Sequence, residues 1–298
     1  MGMEPSQAFG GSWTEEKLGL LTKYLKAYLT IFTKNPRARL LRTVYVDAFA
    51  GAGYIGPKQR GTLQADLFEE LISVEAQGFM KGSAVRALEL APGFAEYLFL
   101  EKDPNRFGEL ETLKRRYPAR RILIKNVEAN GYLRKWCASI DWKTTRAVMF
   151  LDPFGMQIDW SLLEIIANTK GVDLWLLFPL GAAVMRLLQK REPPPQAWAD
   201  RVTAVFGTES WRDEFYKLRT NDTLFGQEQV EEREADYQAI AEFFIRRLAG
   251  IFERVARNPR VLKNSKNCPL YLFCFAAGNP RGAPIAVKIA EDILMKGL

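Results

Sequence analysis

Apolar positions along this chain fall into two alternating rhythms. Residues 14–33 carry Leu18, Leu21, Leu25, Tyr28, Leu29 and Phe32 at three- and four-residue spacing, which predicts an amphipathic helix. Ser12 or Thr14 can cap that helix, and Asn35-Pro36 stops it. A short β-branched and aromatic run at 43–47 then predicts a buried strand. The alternation repeats. Continuous apolar runs at 97–101, 122–125, 147–152 and 172–179 predict strands, and helical periodicity falls at 82–90, 105–117, 131–139, 161–168 and 182–190. Residues 63–76 also have helical character, with weak caps. Strands that are apolar throughout belong to sheets covered on both faces. The pattern therefore predicts a doubly wound, mostly parallel α/β sheet.

From residue 192 the pattern changes. Pro193-Pro194-Pro195, the tryptophans Trp198 and Trp211, and many charges predict an irregular insertion over 192–234. A strong helix follows at 235–256, carrying Ile240, Phe243, Phe244, Leu248 and Ile251. The chain closes with a strand at 270–276, a turn at 278–282 and a helix at 283–294. The expected organisation is one α/β core made of 1–191 and 235–298, with 192–234 as a lid or substrate-reading module. The sequence shows no internal repeat and no low-complexity tract.

Composition narrows the chemistry. A chain of 298 residues with 48% hydrophobic content can bury a large core without covalent staples. Its three cysteines, Cys137, Cys268 and Cys274, form no Cys-x-x-Cys pair, so neither a disulfide framework nor a zinc site is indicated. A reducing, cytoplasmic setting is expected. There is no histidine. That excludes Ser–His, Cys–His and His-ligated metal mechanisms, and leaves carboxylates, backbone groups, Lys, Tyr or a cofactor. No run of about 18 apolar residues could span a membrane, and residues 1–12 read as a floppy leader without an apolar signal core. The net charge of +7 suits nucleic-acid binding through phosphate contacts, and equally suits an ordinary basic surface.

Four constellations could carry chemistry, one at each of four successive strand ends. The first is Asp47-Ala-Phe49-Ala-Gly51-Ala-Gly53, at the carboxyl edge of the first strand, where open α/β sheets bind ligands. No Gly-Lys-Ser/Thr follows, which excludes a P-loop, and no third glycine leads into a helix, which weakens a dinucleotide fingerprint. An acidic strand end before Gly-x-Gly fits a cofactor with an amino-acid tail, whose ammonium the carboxylate attracts. The plain alternative is a tight turn. Glu101, ending the second strand, can accept both hydroxyls of a ribose, or it can cap the following helix, for which Asp103 is as good. Glu128, after the third strand, can accept from an adenine amine, or be a solvated loop acid. Asp152-Pro153-Phe154-Gly155 ends the fourth strand. There a carboxylate and rigid carbonyls can accept from a planar amine while Phe154 stacks on its ring; the alternative is a turn with a packed Phe. The concordance of four such groups on one sheet edge weighs more than any one of them.

With those residues in view, the chain resembles the three-Cys-motif partner protein family, TcmP. The likeness rests on the Trp13–Lys17 opening, Tyr45-Val-Asp-Ala-Phe-Ala-Gly-Ala-Gly53, Gly82-Ser83, Phe99-Leu-Glu101, Phe150-Leu-Asp-Pro-Phe-Gly155 and Phe178-Pro-Leu180, and runs to Arg186. That family resembles class I methyltransferases. The resemblance implies their Rossmann-like fold, with a helical insertion here, and S-adenosylmethionine as cofactor. It also implies a gene-neighbour partner with three cysteines, radical-S-adenosylmethionine-like. The element Asp152-Pro153-Phe154-Gly155 resembles the Asp/Asn-Pro-Pro-Phe/Tyr element of methyltransferases acting on base amino groups, without its second proline.

The expected function is methyl transfer to an exocyclic amine of a nucleic-acid base. Asp47, Phe49, Gly51, Gly53, Glu101 and Glu128 would hold the cofactor. Asp152, Pro153 and Phe154 would orient the acceptor, with positioning and electrostatics supplying most of the rate. Arg186, Lys190, Arg191 and Arg201 would contact phosphates, or form a solvated face. A non-catalytic partner subunit docking the three-Cys-motif protein is the alternative from another class, and a dehydrogenase is a third, against which the missing glycine weighs. No metal and no membrane partner are expected.

Overall fold

The computed structural model describes residues 12–51, 54–55, 80–153, 155–223 and 226–297. Helix α1, Ser12–Lys34, precedes strand β1, Arg42–Asp47. A two-residue ladder joins β2, Tyr54–Ile55, to β3, Met80–Lys81. Next come α2 (Ser83–Leu88), β4 (Glu96–Leu100), α3 (Pro104–Arg116), β5 (Ile122–Lys125), α4 (Ala129–Ser139), β6 (Thr145–Leu151), α5 (Trp160–Asn168) and β7 (Val172–Phe178). The expected alternation is present, with boundaries shifted by a residue or two. The helix predicted at 63–76 lies outside the described residues.

Strands order themselves β5-β4-β1-β6-β7-β12-β10, where β12 is Pro269–Ala277 and β10 is Arg254–Val255. The first five pair in parallel, and β12 runs antiparallel to β7. The fold class is therefore α/β with a largely parallel central sheet. The chain steps outward from β1 through β4 to β5, then returns to β6 on the other side of β1. This reversal is the topological switch point, where α/β sheets open a crevice at their carboxyl ends.

Both faces of the sheet are covered, which is why its strands read as continuous apolar runs. On one face Leu21, Tyr24, Val85, Leu110 and Val287 pack on Tyr45, Tyr97 and Phe273. On the other Leu133, Trp136, Leu163, Phe206 and Phe244 pack on Val46, Leu98, Met149 and Phe178. Phe178 and Phe244 stack with ring centroids 3.8 Å apart.

Three expectations are corrected. The helix predicted at 182–190 is a π-helical turn, Leu180–Val184, followed by α6, only Met185–Leu187. Gly181 lies so near β12 that a Cβ would stand 1.9 Å from the Pro269 carbonyl oxygen, so the chain hugs the strand here and does not settle into a regular helix. The segment 192–234 is not irregular. It holds α7 (Gln196–Phe206), α8 (Trp211–Phe215) and an antiparallel hairpin of β8 (Tyr216–Thr223) and β9 (Gly226–Arg233). Helix α7 starts after Pro195 and stops at Gly207, whose φ of 67° a side chain rarely adopts. Finally, the helix predicted at 235–256 is α9, Tyr237–Ala249, capped by the Asp236 carboxylate on the Ala239 amide and ended at Gly250. Beyond it lie β10 and β11, Arg260–Lys263, which both pair with β12. Helix α10, Ala283–Lys296, closes the chain. Among the described residues, no helix is long and apolar enough to cross a membrane.

Candidate functional site

A cavity of about 650 Å³ opens at the carboxyl edge of the sheet, at the switch point. Small-molecule sites typically span roughly 300–1,000 Å³. Its wall takes Ala48 and Phe49 from the end of β1, Glu101 to Pro104 and Arg106 from the end of β4, and Val127 to Asn130 from the end of β5. Gln157 and Asp159 come from the loop after β6, and Arg201 from α7. Three of the predicted cofactor residues, Phe49, Glu101 and Glu128, thus share one cavity.

The carboxylates of that wall are differently committed. Glu101 is 8% exposed, and its Oε1 accepts from the Asp103 amide at 2.8 Å. Its Oε2 has no partner among the described residues. Asp103, not Glu101, caps α3, accepting from the amides of Asn105 and Arg106 at 2.9 Å each. Those backbone bonds, helped by the Arg106 guanidinium, hold the Asp103 carboxyl below its ordinary range against a small cost of burial. Glu128 caps α4: Oε1 accepts from the Asn130 amide at 2.7 Å and Oε2 from the Gly131 amide at 2.8 Å. Burial raises its pKa, and the capping bonds outweigh that and lower it. Glu128 is therefore a helix cap in the cavity wall, a role absent from the sequence reading, and both its oxygens are already engaged. Asn130 donates to the Gln157 carbonyl at 2.7 Å and accepts from the Asp159 amide at 3.3 Å. It ties the loop after β6 to α4 and so fixes the far wall.

Asp47 is placed differently from the expectation. It is fully buried and does not line the cavity. Its Oδ1 accepts from the Phe49 amide at 3.4 Å, its Oδ2 from the Tyr45 hydroxyl at 3.3 Å, and Ser83 of α2 adds a side-chain hydrogen bond. Burial pushes its pKa up to about 7; the Ser83 bond opposes this, and the nearby Asp152 charge adds to it. Direct attraction of a cofactor ammonium by an exposed carboxylate is thus replaced by a buried acid beneath the loop that follows β1. Gly51 in that loop has φ 61°, with open space where a Cβ would stand, so its backbone conformation and not crowding requires glycine. Gly53 lies outside the described residues.

The element ending β6 divides in two. Asp152 does not line the cavity; its Oδ2 accepts from the Lys17 ammonium of α1 at 2.5 Å. Pro153 is buried and lines an apolar crevice with Phe178 and Phe244, so only its backbone carbonyl is left for the expected role at an acceptor. Phe154 lies outside the described residues. Arg186, Lys190, Arg191 and Arg201 are all exposed, and Arg201 reaches the cavity wall. Among the described residues, no group of three or more acidic or cysteine side chains could hold a metal ion.

Lys17 was missed as a site residue, because nothing in the local sequence points from α1 to a carboxylate 135 positions away. Asn130 was missed as well, although an Asn two residues after a capping acid is a plain local signal.

The chain matches no family model and no curated protein. Among solved structures it is similar to protein LPL1258 from Legionella pneumophila, of the family DUF519, at 16% identity over 96% of this chain and 92% of that one, with a TM-score of 0.53. Other matches are a S-adenosylmethionine-dependent methyltransferase from Clostridium acetobutylicum (13% identity, 86% and 92% covered, TM-score 0.34) and the glycopeptide N-methyltransferase MtfA complexed with S-adenosylhomocysteine (9% identity, 86% and 89% covered, TM-score 0.33). The first of these likenesses shows a shared fold along nearly the whole of both chains.

Proposed function

We propose that this protein is an S-adenosylmethionine-dependent methyltransferase acting on an exocyclic amine of a nucleic-acid base. The observation that carries the reading is the switch-point cavity, where Glu101 keeps one oxygen without a partner among the described residues, behind a wall built from four strand ends. The donor set fits the cofactor. A nearly buried carboxylate with one oxygen already paired suits neighbouring ribose hydroxyls, and Phe49 and Val127 offer apolar surface to an adenine ring. Glu101 would hold the ribose, the loop from Phe49 through Gly51 the methionine part, and the Glu128–Asn130 corner the adenine. When bound, S-adenosylmethionine supplies an activated methyl group, so the chain need not provide a strong base.

The protein's own share is positioning. Asp47 stiffens the loop after β1 from below. Asp152 stands beside Asp47 at the end of the neighbouring strand and would accept a hydrogen bond from the acceptor amine. The sequence likeness to the TcmP family is part of this proposal, and so is the 192–234 segment as a module that approaches the acceptor. The eight large apolar side chains exposed among the described residues, Leu40, Leu123, Trp198, Leu218, Tyr237, Val261, Ile285 and Met295, come from seven separate stretches of chain, and nothing observed among the described residues favours the docking-subunit reading.

The test is transfer of labelled methyl from S-adenosylmethionine to total RNA and to DNA, followed by nucleoside analysis. The expected result is label in an N-methylated base, lost on Asp152→Ala with the fold retained. Label in protein only, or none in any polymer while the cofactor binds, would overturn it.

A further inference from the structure

The contact that the proposed reaction leaves unexplained is the one between Lys17 and Asp152. A lysine is seldom buried without a partner, and the Lys17 side chain is 5% exposed. Its ammonium lies 2.5 Å from Asp152 Oδ2, 5.0 Å from the Trp13 ring centre and 5.9 Å from that of Phe150. Both rings are within cation–π range. The placement is built, not incidental. Glu15 pairs with Arg86 of α2, and Glu16 with Arg260 of β11 at 2.6 Å, so three consecutive side chains clamp the first turn of α1 to three different parts of the core. Trp13 stacks on Tyr271 of β12 at 5.1 Å.

We infer that Lys17 makes the site selective for neutral aromatic amines and turns away alkylammonium groups such as lysine side chains. The inference rests on the proposed methyl-transfer reading and narrows its acceptor class. An isolated Asp152, 26% exposed, would attract cations. Lys17 already supplies one positive charge there; the donor's sulfonium would add a second, which S-adenosylhomocysteine lacks, so with the latter bound the Lys17 charge acts alone. A further ammonium meets like charges in a partly desolvated place, where they interact more strongly than in water. A neutral amine meets no such penalty. It can donate to Asp152 Oδ1, which has no partner among the described residues. It also keeps the lone pair that an acceptor needs, which an alkylammonium lacks at neutral pH. Lys17 is thus a positioning residue. It fixes which Asp152 oxygen is available and sets the charge that the acceptor sees.

The experiment is a titration followed by NMR, with the full chain saturated with S-adenosylhomocysteine. The probes are 9-methyladenine and 1-methylcytosine as neutral amines, against methylammonium and N-acetyl-lysinamide as cations. Wild type should bind a neutral probe at least about tenfold more tightly than a cation, a ratio equal to ~1.4 kcal/mol. Lys17→Met should bring the ratio close to one, and Lys17→Arg should keep it. Equal binding of cations by wild type overturns the inference. So does an unchanged ratio in Lys17→Met, or no neutral probe bound at millimolar concentration. Should Lys17→Met lose S-adenosylhomocysteine, Lys17→Gln, which still donates to Asp152, carries the same comparison. Failure of wild type to bind S-adenosylhomocysteine at all is a different outcome, and strikes the cofactor reading.

Discussion

Asp47 and Asp152 end adjacent strands, β1 and β6, and their environments differ sharply. Asp47 is enclosed by Tyr45, Ser83 and the Phe49 amide, whereas Asp152 is partly exposed and paired with Lys17. Burial raises the Asp47 pKa from 3.8 to about 7. The folded state then binds more protons than the unfolded one between those values, so this group's contribution to stability is complete below pH 3.8 and lost as pH rises through about 7. Asp47→Asn should therefore gain in melting temperature over wild type as pH is raised from 4 to 8. Asp173, raised to about 6 mainly by burial and bonded to the Tyr24 hydroxyl at 2.7 Å, acts with the same sign in both proteins and cancels in the difference. A difference independent of pH would show that Asp47 is not the buried acid described. At this scale the sequence was readable where chemistry is local. Acids at strand ends marked Asp47, Glu101, Glu128 and Asp152. It could not tell a wall residue from a buried one, because Glu101 and Asp47 occupy equivalent places in the pattern and differ only in what packs over them. Lys17 was illegible because its meaning lies in a contact with a residue 135 positions away.

Among elements, the parallel strands were legible because two-sided burial writes itself as continuous apolar runs. The 192–234 segment was misread for the opposite reason. Three prolines obscured the start of α7, although Ala199, Val202, Val205 and Phe206 follow helical spacing and are buried. The hairpin carries polar residues at most positions of both strands, such as Lys217 and Thr220 facing Glu232 and Gln229, so no alternation announces it. Its anchoring is at its base, where the Tyr216 hydroxyl donates to the Gln189 carbonyl and the Arg233 amide to the Lys190 carbonyl. Replacing residues 218–231 by a short glycine-rich turn should leave both melting temperature and S-adenosylhomocysteine affinity unchanged; loss of the latter would make the hairpin part of the cofactor site. Helix α9 depends on its cap. Asp236→Ala removes the acceptor of the Ala239 amide and should cost about 1 kcal/mol in denaturant unfolding. A neutral effect would mean that packing of Phe243 and Phe244 alone fixes that helix start.

The whole molecule carries a net charge of +7 and presents Arg186, Lys190, Arg191 and Arg201 at its surface, the last of them in the cavity wall. Under the nucleic-acid reading, Arg186→Glu, Lys190→Glu and Arg191→Glu together should weaken RNA or DNA binding and reduce the slope of log affinity against log salt by about two to three. An unchanged slope would return these residues to an ordinary solvated face. The proposed reaction and the selectivity ascribed to Lys17 both depend on the cavity holding a cofactor. The most direct test is calorimetric titration of the folded protein with S-adenosylhomocysteine, for wild type and Glu101→Gln. The account predicts micromolar binding by wild type, and a loss of at least about tenfold in the variant, or ~1.4 kcal/mol. No heat of binding from a folded wild type, or equal affinity in Glu101→Gln, would contradict it.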